Sequence, residues 1–274
     1  MLDSAITSVE GGRIRYRGRP LAALIEDGAA FEAVAELLWK ASPRASWPEP
    51  RAVGRPRAAP EAVWRFAAAL PAMALADPDR HARGEAAEHD RGRRVIRAFA
   101  VLLAGDRGPG RVAEQVARGL GGSAREATLV DRVLVACADH ELNMSTFAAR
   151  IAASSGADLY ASVGAALYTF SGPRHGAAPR RVHALVEGCA KRGVEREVRS
   201  RLGRGERLPG FGHPLYPEGD PRTPLLLSHL GGAGPRRAPV PPEERQIEPG
   251  HKEPPQQTHH DDAQTPGARA HGRG

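Results

Sequence analysis

Apolar and polar residues alternate from Val9 to Arg17, with Ile14 and Tyr16 two positions apart and Gly11-Gly12 able to turn the chain. The pattern predicts a short hairpin. The apolar period then lengthens: Phe31, Val34, Ala35, Leu37 and Leu38 make one stripe at helical spacing. Residues 43–60 are rich in proline and predict a loop, and Pro60 suits the first turn of a helix carrying Val63, Trp64 and Ala67. A charged stretch from Asp77 to Arg94 predicts a mobile connection, after which Val95, Ile96, Phe99, Leu102 and Leu103 share a helical face. Ser123 and Glu126 have capping-box spacing, in which each side chain satisfies an amide at the helix start. The helix they open is expected to turn Leu129, Val130, Val133, Leu134 and Cys137 inward before it reaches Asp139-His140-Glu141. Further helices are expected from about Ser145 to Ser155, from Asp158 to Phe170, and, beyond the break at Gly172-Pro173, from about Ala177 to Lys191. No internal repeat is evident.

After Leu230 the pattern ends. Residues 231–274 hold proline, glycine, histidine and charge, with Val240 and Ile247 as the only sizeable aliphatics. Such a segment buries too little apolar surface to offset the entropy of ordering it, so a disordered tail is expected.

Composition favours helix: Ala, Leu, Arg and Glu are abundant and aromatics are only 5%. At 274 residues the chain can form one large domain or two smaller ones. The net charge of +7 raises the question of nucleic acid. Only Lys40, Lys191 and Lys252 are lysines, so arginine supplies nearly all the positive charge; with abundant Ala, Gly and Pro this matches GC-rich coding bias. The arginines are scattered among acids with no nucleic-acid-binding motif, which ranks a DNA-binding role last. They read as a solvated surface, with attraction of a polyanion such as coenzyme A left open. No apolar run approaches the roughly 20 residues of a membrane span. Met1-Leu2-Asp3-Ser4 has neither the basic stretch nor the apolar core of a secretion signal. Cys137 and Cys189 each fall in a helical pattern, which argues against a disulfide framework. A cytoplasmic protein is expected.

Three histidines sit in unusual local sequence. His140 lies in Asp139-His140-Glu141-Leu142-Asn143-Met144-Ser145-Thr146, at the end of an apolar helix. His175 lies in Gly172-Pro173-Arg174-His175-Gly176, just before a helix; His213 ends Pro209-Gly210-Phe211-Gly212-His213, followed by Asp220-Pro221-Arg222. The positive end of a helix dipole disfavours the imidazolium, and a neutral imidazole can donate a hydrogen bond to a carbonyl that becomes enolate-like. Glycines around Phe211 allow backbone amides close to a ligand, and Arg222 has the chemistry for a bidentate grip on a carboxylate. The bland alternatives are a helix cap or packed polar residue for each histidine and an ordinary turn for Gly-Phe-Gly. A metal site is disfavoured, since no two of these histidines have a ligand spacing such as His-x3-His. His259-His260-Asp261-Asp262 could bind metal adventitiously and suggests no function.

In this order, Asp-His-Glu-x-Asn-x-Ser-Thr, Gly-Pro-x-His-Gly and Gly-Phe-Gly-His with Asp-Pro-Arg resemble the citrate synthase family. Ser8-Val9-Glu10-Gly11-Gly12, Tyr16-Arg17-Gly18 and Phe31-Glu32-Ala33-Val34-Ala35-Glu36-Leu37-Leu38 are similar to that family's opening. The resemblance spans roughly residues 4–230 and is densest from 133 to 222. It implies an all-α fold: residues 1–176 as the N-terminal part of a large helical domain, 177–230 as part of a small domain that closes over substrate, and 231–274 as a disordered or frameshifted tail. It implies condensation of acetyl-CoA with oxaloacetate to citrate, or of propionyl-CoA to 2-methylcitrate, by a homodimer with no permanently bound cofactor and no metal.

Residue by residue, the resemblance gives His175 the thioester oxygen as it becomes an enol and His213 the oxaloacetate ketone. His140 and Arg222 would bind that substrate's carboxylates, and Leu208, Pro209, Gly210, Phe211 and Gly212 would lie against coenzyme A. The family's proton-abstracting aspartate, in a Pro-Asn-Val-Asp-like motif, and two further arginines have no match between Thr223 and Gly274. Frameshift or truncation near Leu230 is the expectation, with impaired synthase activity. The alternative is a non-catalytic protein that binds oxaloacetate or coenzyme A, or regulates a full-length synthase.

Overall fold

A computed structural model describes residues 4–43, 47–50, 61–105, 107–173, 175–176, 178–213 and 216–230. The chain divides into the units Met1–Gly234 and Pro235–Gly274, and every described residue lies in the first. The expected tail at 231–274, together with Pro60, Arg174 and Ala177, lies outside the described residues.

The hairpin forms as expected. Strands β1 (Thr7–Glu10) and β2 (Arg13–Tyr16) pair antiparallel around Gly11 and Gly12, both at positive φ, and a short β3 (Arg19–Pro20) pairs with β2. Helices α1 (Leu21–Glu26) and α2 (Phe31–Trp39) follow. Ile14, Tyr16, Leu21, Leu24, Ile25, Val34 and Leu38 build one buried cluster, which Val135, Ala136 and Tyr216 complete from far along the chain. Among the described residues the remaining regular elements are helices, as the composition predicts.

Helix α3 (Ala62–Leu75) carries Ala67 inward, but Trp64 is exposed. Helix α4 runs from Glu85 to Ala104 and corrects the expected mobile connection of 77–94 over residues 85–94. Its charged first half is helical because its arginines find buried partners. Arg93 reaches back to Glu36 of α2, with Nε 2.7 Å from Oε1, while Trp47 donates to the same oxygen at 2.8 Å. Glu36 and Arg93 are only 1% and 2% exposed, so each is tolerable only in the presence of the other. Asp77 is also buried; it accepts from Tyr160 at 2.8 Å and lies against Arg91 and Arg94. Burial, then the hydrogen bond to Asp77, pushes the Tyr160 hydroxyl up to about 12.

Helix α5 (Val112–Gly119) is followed by α6 (Ala124–Ala136), whose start has the Ser123–Glu126 capping box. The buried face of α6 differs from the expected one: Ala127, Asp131, Val135 and Ala136 are buried, Val133 is exposed, and Cys137 is the C-cap. Asp131 explains the rotation, because it accepts from the Phe31 amide at 2.8 Å and from Arg111 at 3.1 Å. Helices α7 (Met144–Ser154) and α8 (Leu159–Phe170) pack on each other, started by Asn143 and Asp158 as side-chain caps. Helix α9 (Ala178–Arg192) packs on α10 (Val194–Gly203), and α11 (Arg222–Leu227) packs on α6.

Candidate active site

The first histidine motif begins where α6 ends. Tyr16, buried in the hairpin, places its hydroxyl 3.2 Å from the Ala136 carbonyl and 3.1 Å from that of Asp139. The Thr7 hydroxyl donates to the Asp139 carboxylate. These bonds tie the N-terminal sheet to the residue beside His140. Glu141 then adopts φ 52°, a left-handed conformation that bulky residues disfavour. Two residues on, Asn143 Oδ1 accepts from the amides of Ser145 and Thr146, each at 3.0 Å, and starts α7. The loop carrying His140 is therefore held at both ends.

The Phe211–His213 loop reaches the same place because Tyr216 anchors it. Tyr216 is 2% exposed and belongs to the first core cluster, where Leu225 and Leu226 also pack. Its hydroxyl is 2.9 Å from His140 Nε2. The His213 ring stands perpendicular to His140 at 5.4 Å and tilted against Tyr216 at 5.1 Å. On Tyr216 rests the Arg222 guanidinium, 5.9 Å from the ring centre. Arg222 makes its bidentate grip on its own neighbour Asp220, with Nε–Oδ1 2.9 Å and Nη2–Oδ2 2.6 Å, which leaves Nη1 outside that pair.

Electrostatics follow from this crowding. Burial, then the positive Arg222 and then His213, lowers the His140 pKa and favours the neutral imidazole. Burial raises the Tyr216 hydroxyl and keeps its proton in place. Burial disfavours ionised Asp220, but hydrogen bonds and charge from Arg222 outweigh it and hold that carboxyl below its ordinary value.

His175 lies in the turn before α9, where its carbonyl accepts from the Ala178 amide. Its Nε2 is 3.0 Å from Ser145 Oγ, and Ser145 Oγ is 2.7 Å from Asn143 Oδ1. Phe170 packs edge-on against the imidazole at 5.1 Å. Thus the second histidine is linked to the first motif through the cap of α7. In the Leu208–Gly212 segment, Gly210 has φ 89°, and a Cβ there would stand 3.0 Å from Val182 of α9. Only glycine fits that approach without strain. Phe211 is exposed beside it. Among the described residues, no group of three or more His, Cys, Asp or Glu is placed to hold a metal ion.

A family model for the citrate synthase C-terminal domain matches residues 1–235. The chain belongs to the citrate synthase family. A "Putative citrate synthase 2" of Mycobacterium tuberculosis is 43% identical over 103 residues, which is 37% of this chain and 28% of that protein. A 2-methylcitrate synthase of Shewanella oneidensis is 35% identical over 105 residues, 38% of this chain and 28% of that protein. Both alignments thus cover under a third of the relative's own length. A citrate synthase of the archaeon Thermoplasma acidophilum, solved in a ternary complex with carboxymethyl coenzyme A and oxaloacetate, superposes with TM-score 0.66 at 24% identity, covering 83% of this chain and 69% of that one. The fold is that of citrate synthases.

Within this family fold, sequence spacing does not single out two residues of the site, Ser145 and Tyr216. Ser145 falls inside the Asp139–Thr146 motif, but nothing in its spacing points across to His175. Tyr216 was visible only as an isolated aromatic in a proline- and glycine-rich stretch, three residues after His213. Its value depends on the core cluster into which its ring packs.

Proposed function

We propose that the chain carries the oxaloacetate and acyl-CoA site of a citrate synthase-type enzyme and takes part in the condensation that gives citrate and coenzyme A. The observation that carries this reading is the convergence of His140, His213 and Arg222 around Tyr216, in motifs that occur in the family's order. In this reading His140 and Arg222 Nη1 receive the carboxylates of oxaloacetate, and His213 polarises its ketone. His175, held by Ser145, donates to the thioester oxygen as the acetyl group becomes an enol. The Leu208–Gly212 segment lies against coenzyme A, seated on α9 at Val182.

The packing of α9 chiefly on α10 supports treating residues from 177 as part of a smaller, closing domain. Homodimer formation is part of the proposal and is supported by α7, none of whose residues is buried and whose Met144, Phe147 and Ile151 are exposed. A cytoplasmic location is likewise proposed; among the described residues no helix is long and apolar enough to cross a membrane. The relatives include a 2-methylcitrate synthase, so propionyl-CoA is the alternative acyl donor.

The family's aspartate base has no matching motif in the sequence, so binding and turnover are best measured separately. Calorimetric titration with oxaloacetate is expected to show binding that His140→Ala and Arg222→Ala each weaken at least tenfold, an order of magnitude for losing a hydrogen bond to a charged group. Thiol release from acetyl-CoA or propionyl-CoA then reports the reaction. A positioned base contributes about 10²–10⁴ in rate, so turnover lower by that amount with intact binding favours the non-catalytic, ligand-binding alternative. Absence of oxaloacetate binding defeats the condensation reading, and absence of coenzyme A binding as well defeats the ligand-binding alternative.

A further inference from the structure

We infer that Tyr216 is a positioning residue that fixes the tautomer of His140, so that this imidazole offers its proton from Nδ1. Tyr216 Oη and His140 Nε2 are 2.9 Å apart, and one of the two atoms must donate. A buried hydroxyl needs an acceptor for its proton, and among the described residues His140 Nε2 is the acceptor given to Tyr216 Oη. Were Nε2 protonated, two hydrogens would point at each other or the hydroxyl proton would go unpaired. The reverse arrangement satisfies both groups: the phenol donates, Nε2 accepts, and the neutral imidazole keeps its hydrogen on Nδ1.

The surroundings hold this state. Arg222 lies over the Tyr216 ring and Asp220 grips Arg222, while Asp139, next in sequence to His140, is engaged by Thr7. Among the described residues the His140 ring has Tyr216 as its hydrogen-bond partner and not a carboxylate, and burial, Arg222 and His213 outweigh the pull of the more distant Asp220 and Asp139 towards a second proton. The Tyr216 ring is fixed in turn by the core cluster of Ile14, Leu24 and Val135, which makes the phenol a rigid donor. The neighbouring His213 touches the same tyrosine by its ring face, so one side chain orients one histidine by a hydrogen bond and the other by packing.

The part of this inference that concerns oxaloacetate rests on the proposed function; the tautomer does not. The test is nitrogen-15 imidazole spectroscopy of the full chain above pH 7, with His140 assigned by comparison with His140→Gln. The wild type is expected to show a protonated Nδ1 and an unprotonated, hydrogen-bonded Nε2. Tyr216→Phe keeps the packed ring and removes only the donor, and is expected to move His140 towards the Nε2–H form that imidazole side chains otherwise favour. A wild-type spectrum with the proton on Nε2 overturns the inference without any variant. So does a Tyr216→Phe protein, folded by circular dichroism, whose tautomer is unchanged. Oxaloacetate titration of the same two proteins is expected to show binding about tenfold weaker in Tyr216→Phe, the cost of misdirecting one charge-assisted hydrogen bond. If neither protein binds oxaloacetate while the tautomer still switches, the functional proposal fails and the positioning role stands.

Discussion

Two residues of the first histidine motif are held in states that cost free energy elsewhere in proteins. His140 is kept neutral by burial and by Arg222, so its folded pKa lies below the ordinary 6.5. The sign follows from proton linkage: below about 6.5 the unfolded chain takes up a proton more readily than the folded one, and stability falls until the pH passes the folded pKa. Urea midpoints are therefore expected to drop more steeply from pH 7 to 5 in the wild type than in His140→Gln. Equal slopes would show that His140 is not held neutral. Glu141, at φ 52°, carries backbone strain of about 1 kcal/mol that glycine would not. Glu141→Gly is expected to leave stability unchanged or raise it slightly, since its greater unfolded entropy opposes the relief. Glu141→Val is expected to lose about 1–2 kcal/mol in urea unfolding.

Between elements, the decisive contacts are polar and long in sequence. Asn143 both starts α7 and supports Ser145, which supports His175. Asn143→Ala is expected to cost about 1 kcal/mol of stability as a lost cap, and Asn143→Asp to retain it. The pair Glu36–Arg93 joins α2 to α4 in a buried setting. Glu36→Ala is expected to destabilise by about 3–5 kcal/mol because it strands a buried guanidinium, whereas Glu36→Leu combined with Arg93→Met is expected to recover most of that loss. A loss in the double variant equal to the sum of the losses in Glu36→Leu and Arg93→Met alone would show that the pair is not energetically coupled. The apolar face of α4 and the capping box of α6 were legible from spacing and residue type. The helical state of 85–94 and the rotation of α6 were not, because a charged residue points inward only when another element brings its partner.

At the scale of the whole molecule, α7 displays apolar residues that nothing described covers: Phe147 is 40% and Ile151 55% exposed. Contiguous exposed apolar surface marks an association site. Sedimentation is expected to show a dimer that Ile151→Glu shifts towards monomer; a wild-type monomer with unchanged solubility would remove the support that α7 lends to dimer formation. The order of the motifs, the helical class and most helix positions were determined by the sequence itself, because capping, periodicity and glycine placement are local properties. The assembled site was not. His140 and His213 meet only because Tyr216 and α11 dock on a core begun by the N-terminal hairpin, and His175 meets Ser145 only across a turn and a helix cap. Such meetings depend on which buried faces close on one another, a property of packing in three dimensions that no local pattern along the chain contains.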